Sequence, residues 1–250
     1  MTEPTGPRAR AELAGAPAGG TPAGTWWAPR SLTWWIASLF ALGSVCFLVA
    51  PFPGFVQHFG SGVDGMVYFV GSILFTAAAA LQCVATFNSD RELPAGGRRP
   101  FRLVAFQPRR RAWWASVVQL VGTVYFNVNT LRAMTTGFDS PEYDRLVWTP
   151  DTLGCICFLV ASYLAYVDAA GGLARRPRHR TIEWKVSVAN LAGSVAFGIS
   201  AIASFVVPAT GSVLDLAAAN VFIGIGALCF LIGSLLMLSG PGPEPTPTAR

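Results

Sequence analysis

Trp34 is followed nine residues later by Gly43-Ser44-Val45-Cys46-Phe47, Trp113 by Gly122-Thr123-Val124-Tyr125-Phe126, and Trp184 by Gly193-Ser194-Val195-Ala196-Phe197. Each copy reads W-x8-G-[ST]-V-x-F and lies in an apolar stretch. A looser form, with glycine, a small residue, an aliphatic residue, any residue and phenylalanine, recurs at Gly71 to Phe75, Gly154 to Phe158 and Gly226 to Phe230. Four residues turn a helix through about 400°, so the Gly and Phe of each copy share one face, one turn apart. The glycine leaves a notch, its small neighbour widens it, and a Phe from another helix can fill it. Lipid tails are as apolar as leucine, so close packing at such notches is what joins helices in a membrane. Gly43, Phe47, Gly71, Phe75, Gly122, Phe126, Gly154, Phe158, Gly193, Phe197, Gly226 and Phe230 are therefore read as one helix-packing motif used six times.

Working outward, these copies sit in six apolar runs, at about 31–50, 63–87, 112–134, 150–169, 184–207 and 213–238. About 20 helical residues cover ~30 Å of hydrocarbon. Without water the backbone must satisfy itself inside each segment, which leaves helix as the spanning form. Pro51, Pro53, Pro150 and Pro208 stand at run ends, where a missing N–H costs little. Thr149-Pro150-Asp151 reads as a helix N-cap, a first-turn proline and a first-turn acid. Composition agrees: 52% of the chain is hydrophobic and 12% charged, against about a quarter charged in soluble domains. The predicted class is an all-α polytopic membrane bundle. Six transmembrane helices form three parallel-repeat hairpins, about 31–87, 112–169 and 184–238, between disordered cytoplasmic tails at 1–30 and 239–250. The run after the first tail is too long for the apolar core of a signal peptide, so the expectation is that it stays as the first span.

Orientation follows from the arginines. The first tail, the loop from Arg91 to Arg111, the loop from Arg175 to Lys185 and Arg250 hold 16 of the 18 basic residues, leaving Arg132 and Arg145 on the other side. The positive-inside rule places both termini in the cytoplasm of a cell membrane. Trp34, Trp35, Trp113, Trp114 and Trp184 then fall at the inner headgroup level, where amphipathic rings concentrate. The near-exclusive use of Arg over Lys, with abundant Ala and Gly, points to a GC-rich bacterial genome.

The stretch Gly71-Ser72-Ile73-Leu74-Phe75 resembles the two-helix membrane domain of the YrhK-like family. Phe126-Asn127-Val128-Asn129-Thr130, Trp148-Thr149-Pro150-Asp151 and Cys157-Phe158-Leu159-Val160-Ala161-Ser162 look like stretches of larger actinobacterial membrane proteins carrying that domain. The resemblance would cover about 31–238; it implies a fold and carries no mechanism.

Chemical signatures are sparse. Cys46, Cys83, Cys155, Cys157 and Cys229 lie in apolar runs, form no C-x-x-C and read as small buried side chains. His58 and His179 fall in loops on opposite sides. Asp139, Glu142, Asp144 and Asp151 read as loop or helix-end acids. No G-x-x-x-x-G-K-[ST], H-E-x-x-H or G-x-S-x-G occurs. No ionisable group stands near the middle of a run, which argues against a pump or a proton-coupled carrier. The chain is read as non-enzymatic, without cofactor or metal, in a structural, regulatory or interaction role. Its partner is the lipid bilayer; the arginine-rich 91–111 loop reads either as a grip on anionic lipid or as a topology determinant without a ligand, and no nucleic acid is expected.

Intramembrane amides stand out in two layers, Gln82, Gln119 and Asn190 in the inner half and Asn127, Asn129 and Asn220 in the outer half. Gln119 and Asn190 each precede a motif glycine by three residues and are expected to point into the bundle; the first repeat has Phe40 there. The alternative reading is a channel or facilitator for a small neutral solute lined by these amides. Convergence of the six on one cavity favours transport, whereas dispersal among pairwise contacts favours a structural role. Topology is testable at once. In a variant lacking the native cysteines, a cysteine at Gly96 or Gly171 should resist an impermeant thiol reagent added to intact cells. Labelling of either reverses the orientation.

Overall fold

The computed structural model describes residues 27–52, 54–89, 100–137, 139, 141–171 and 181–240. The element order is α1 (Leu32–Val49), α2 (Phe55–Phe59), α3 (Ser61–Phe87), α4 (Arg111–Ala133), a π-helix (Asp144–Trp148), α5 (Thr149–Ala169), α6 (Ile182–Ala203), β1 (Val206–Val207), β2 (Ser212–Val213) and α7 (Leu216–Leu238). The expected tails fall mostly outside the described residues. Residues 27–31, however, are ordered against α1: Ser31 N–H donates to Ala28 O at 2.8 Å, and Trp27 meets Trp34 edge-on at 5.1 Å.

Five helical stretches are long and apolar enough to cross a membrane: Leu32–Val49, Ser61–Phe87, Asp144–Ala169, Ile182–Ala203 and Leu216–Leu238. α4 matches them in length but is less apolar, since it carries Gln119, Asn127, Asn129 and Arg132. The surface has the polarity such a protein needs. Leu42, Val45, Ile73, Val124, Ile156, Val195 and Ile225 are all exposed, while Ser44, Ser72, Thr123 and Ser194 are fully buried. An apolar girdle around an interior of small residues and phenyl rings suits a lipid solvent and not water.

The helices close into a ring. α1 packs on α3, α4 on α5 and α6 on α7; α3 also packs on α4, α5 on α6 and α7 on α1. Neighbours run antiparallel, as the side-chain pairings show. Phe40 meets Phe75 while Phe47 meets Tyr68, and Ser72 meets Thr130 while Thr76 meets Asn127. α1, α4 and α6 therefore point one way, and α3, α5 and α7 the other.

What brings the pairs together is reciprocal insertion. A Cβ on Gly43 would collide with the Phe75 ring, and one on Gly71 would stand 3.1 Å from the Phe47 ring and 2.8 Å from Cys46 Cβ. Gly122 receives Phe158 (2.8 Å) and Gly154 receives Phe126 (2.7 Å). Gly193 receives Phe230 (2.9 Å), and Gly226 receives Phe197 in direct contact. The facing glycines also let backbones approach: Gly154 would place a Cβ 3.2 Å from Gly122 O, and Gly193 one 3.0 Å from Gly226 O. All six phenylalanines belong to one buried core.

Three features differ from the sequence reading. Residues 144–148 are already helical before Thr149, so Thr149 is no N-cap; its hydroxyl donates back to Asp144 O at 2.7 Å. Pro150 has no N–H to give to the preceding turn, and the wider π turn lies just before it. The expected run 184–207 yields a helix only to Ala203, because Val206 and Val207 pair with Val213 and Ser212 in a short ribbon closed at Gly211 (φ +64°). A one-turn helix, α2, occupies the first connection.

Gly122→Ala should lower stability by about 1–3 kcal/mol, because neither the Phe158 ring nor Cys157 Cβ has room to retreat in a packed core. Adding Phe158→Leu should restore part of that loss. Thermal unfolding in detergent measures both, and an unchanged midpoint for Gly122→Ala would contradict the packing account.

Candidate functional site: a phenyl axis and its polar seams

The six motif phenylalanines do more than fill notches, for they also meet one another along the ring axis. Phe75, Phe158 and Phe230, one from each consecutive helix pair, form a triangle with centroid separations of 6.2, 5.8 and 5.6 Å. Beside it, Phe197 lies 6.3 Å from Phe47 and 6.2 Å from Phe126. Most of these contacts are edge-to-face or tilted, the arrangement ring quadrupoles favour. Their relative exposures run from 0% to 7%, so the axis at this level is occupied by hydrocarbon.

Around the axis, the residue after the motif glycine joins neighbouring helices in three of the six copies. Ser72 Oγ lies 3.0 Å from Thr130 Oγ1, joining α3 to α4. Cys155 donates its thiol hydrogen to Phe197 O (3.4 Å), joining α5 to α6. On the same seam Ser194 Oγ stands 2.8 Å from Ser162 Oγ, 2.9 Å from Asn190 O and 3.2 Å from Phe158 O. Its single proton serves one carbonyl at a time, while its lone pairs can take the proton of Ser162. The α7–α1 seam has no such stitch from its motif positions, since Ser44 turns back onto Phe40 O (2.8 Å) and α7 carries Ala227. The motif pattern reads these small residues as spacers. Their donor role leaves a signal only in being Ser, Thr or Cys in five copies of six.

The amides do not converge. Asn127 pairs with Thr76 across the α3–α4 seam, its Nδ2 donating at 2.9 Å and its Oδ1 accepting at 3.2 Å. Asn129 donates to Asp151 Oδ1 at 2.6 Å across α4–α5. Asn190 packs against Gly233 on α7, where a Cβ would lie 2.6 Å from its Oδ1. Gln82 and Gln119 are half-buried, and among the described residues their side chains form no hydrogen bond; Asn220 is exposed. Of the six amides, Asn127, Asn129 and Asn190 are thus engaged at three different seams.

At the end of the bundle away from the arginine-rich loops, the π-helix is tied across the fold. Trp148 Nε1 donates to Ala201 O (2.7 Å), Val206 N–H donates to Asp144 Oδ1 (3.3 Å), and Tyr143, Val147 and Val206 pack together. Burial, followed by the nearby carboxyls of Asp151 and Asp144, pushes the Tyr143 phenol up, so it stays protonated. Asp139 and Glu142 are exposed, as is His58 on α2, while His179 lies outside the described residues. Among the described residues no group of three or more His, Cys, Asp or Glu is placed to hold a metal, and the five cysteines are free thiols.

The arginine-rich end carries a local design that the sequence reading left out. Pro29-Arg30-Ser31-Leu32-Thr33-Trp34-Trp35 leads into α1, and Pro108-Arg109-Arg110-Arg111-Ala112-Trp113-Trp114 leads into α4. The second indole of each donates to the prolyl carbonyl six residues earlier, Trp35 to Pro29 O at 2.9 Å and Trp114 to Pro108 O at 3.0 Å. Trp113 Nε1 donates to Ala105 O (2.7 Å), and Asn88 clamps Arg102 through both its backbone N–H and its carbonyl. Arg110 is spent on Gln107, Ser89 and Thr86 O. The described half of the 91–111 loop is thus fastened to the ends of α3 and α4.

No family model, no curated protein and no solved structure matches this chain.

Thr76→Val and Asn127→Leu, alone and together, should give a coupling energy of about 0.6–2 kcal/mol in a double-mutant cycle read by thermal unfolding in detergent. Strict additivity would mean that the bond contributes nothing to the seam.

Proposed function

We propose that this chain is a six-span membrane protein built from three helix hairpins in parallel, with both termini in the cytoplasm, and that its role is non-enzymatic: structural, regulatory or as an interaction partner. The observation that carries this reading is the phenyl axis. The repeated motif, the feature that organises the chain, is used to fill the centre of the ring and not to line a passage. Asn127, Asn129 and Asn190, bonded or packed at three different seams, support the same reading, since such amides in a membrane act as glue between helices. α4 belongs to the spanning set on this view. It lies in the ring between α3 and α5, and its Gly122 and Phe126 engage α5 at the level of the other motif copies.

The YrhK-like likeness is part of this proposal, and so is anionic lipid at the 91–111 loop. A channel for a small neutral solute is the second reading; Gln82 and Gln119, half-buried and unbonded on adjacent helices, are the observation in its favour. Osmotic swelling of proteoliposomes separates the two. Urea and glycerol should enter no faster than into protein-free vesicles. Accelerated entry that Phe158→Ala increases further would identify the axis as a gated passage and overturn the structural reading.

A further inference from the structure

The Pro-Arg-x3-Trp-Trp turns before α1 and α4 share more than sequence. In each, the two indoles stand edge-to-face, with centroids 5.0 Å apart at 87° in the first and 4.8 Å apart at 86° in the second. In each, the arginine after the proline is exposed, and among the described residues its guanidinium has no hydrogen-bond partner. The indole-to-carbonyl bond fixes the loop, so Arg30 and Arg109 sit beside half-exposed Trp35 and Trp114 in matching frames. Neither α1 nor α4 has an acid in its first turn or a side-chain cap, which leaves the local field positive. α6 departs from this pattern, being capped by Thr181 and carrying Glu183 in its first turn.

Because α1 and α4 run the same way, both turns face the same side of the ring. The α4 turn adds an apolar edge. Leu103, Val104 and Phe106 are 69%, 83% and 79% exposed, on backbone fastened by the Asn88–Arg102 and Trp113–Ala105 bonds. A shallow crevice runs along Phe106 to Arg110. Held apolar side chains next to unpaired arginines and interfacial tryptophans are complementary to one surface, an anionic bilayer leaflet. There the chains enter the acyl boundary and the guanidinium groups meet phosphate in bidentate geometry.

We infer that the two Pro-Arg-x3-Trp-Trp turns are paired clasps for the phosphate of an anionic phospholipid, with Arg30 and Arg109 as the phosphate-binding residues. Trp35 and Trp114 act as positioning residues through the proline carbonyls. The inference rests on the membrane-spanning and anionic-lipid readings above and adds the phosphate-binding residues and a second, matching turn before α1.

The test is electron spin resonance of the full chain reconstituted in phosphatidylcholine vesicles containing either spin-labelled phosphatidylglycerol or spin-labelled phosphatidylcholine. Phosphatidylglycerol should associate several-fold more strongly, and Arg30→Gln with Arg109→Gln together should remove most of that preference. Trp35→Phe with Trp114→Phe keeps the rings, drops the N–H donors and should weaken the preference to a smaller degree. Arg132→Gln with Arg145→Gln, at the other end of the chain's basic distribution, should leave it unchanged. Equal association of the two lipids with the native chain, or a preference that survives loss of both Arg30 and Arg109, overturns the clasp. A preference that appears only when two copies share a vesicle overturns it in favour of a protein–protein surface. Failure of the membrane reading looks different, because no motionally restricted component would then be seen for either lipid.

Discussion

The structure depends on one contact made six times: a phenyl ring seated on a glycine of the antiparallel neighbour, which returns its own phenyl ring to the first helix's glycine. In water such a contact would be one apolar contact among many. Against lipid it matters more, because moving an apolar side chain from acyl chains to a helix interface yields no hydrophobic gain. What remains is the quality of the packing. A glycine opposite a phenylalanine supplies it, bringing backbones to within about a side-chain radius and filling the hollow with the largest available apolar ring. Reciprocity sets depth and rotation together. With Phe47 on Gly71 and Phe75 on Gly43, the two helices can neither slide nor turn without emptying both notches.

The same rings solve a second problem. Six helices arranged in a closed ring surround an axis that must be filled or left open. Since glycine and phenylalanine share a helix face, the ring that enters a neighbour's notch lies on the inward side. Phe75, Phe158 and Phe230 meet there because their helices occupy equivalent places in three successive pairs. Pairing and axial filling are thus one feature of the sequence and not two. A change at a notch is felt at the axis, and the centre of the bundle inherits an approximate threefold order from the motif.

The polar groups break that order, and this shows what the sequence could convey. The motif, the helices and the Gly–Phe pairing were legible because they rest on periodicity: 63–87 became Ser61–Phe87, 112–134 became Arg111–Ala133, and 150–169 became Thr149–Ala169. Periodicity does not say which hydroxyl meets which carbonyl. Ser72 and Ser194 occupy the same motif position, yet one bonds a threonine on α4 and the other a serine and a carbonyl on α5, because the partners lie outside the motif. The π turn at 144–148 was illegible for the same reason: Tyr143 and Val147 pack on Val206, more than fifty residues along the chain. Val206 and Val207 read as the last residues of the run 184–207, being apolar enough for a span; their β-branched preference and the turn at Gly211 place them in the ribbon instead.

α4 shows why composition and placement have to be weighed together. Taken alone it is the least apolar of the six long helices, with two asparagines, a glutamine and two threonines within twelve residues. In place, Asn127 is engaged by Thr76, Thr130 by Ser72 and Asn129 by Asp151, so much of the excess polarity faces other protein groups. On the six-span proposal, a helix flanked on both sides in a ring needs an apolar surface only over the arc that remains, and Val121, Val124, Val128 and Leu131 supply it. Sliding-window hydropathy averages the covered and uncovered arcs and so undervalues such a helix. Spread among three helices, the same polar groups would have left each seam with a single weak bond. Gathered on α4, they bind the first helix pair to the second and close the second upon itself.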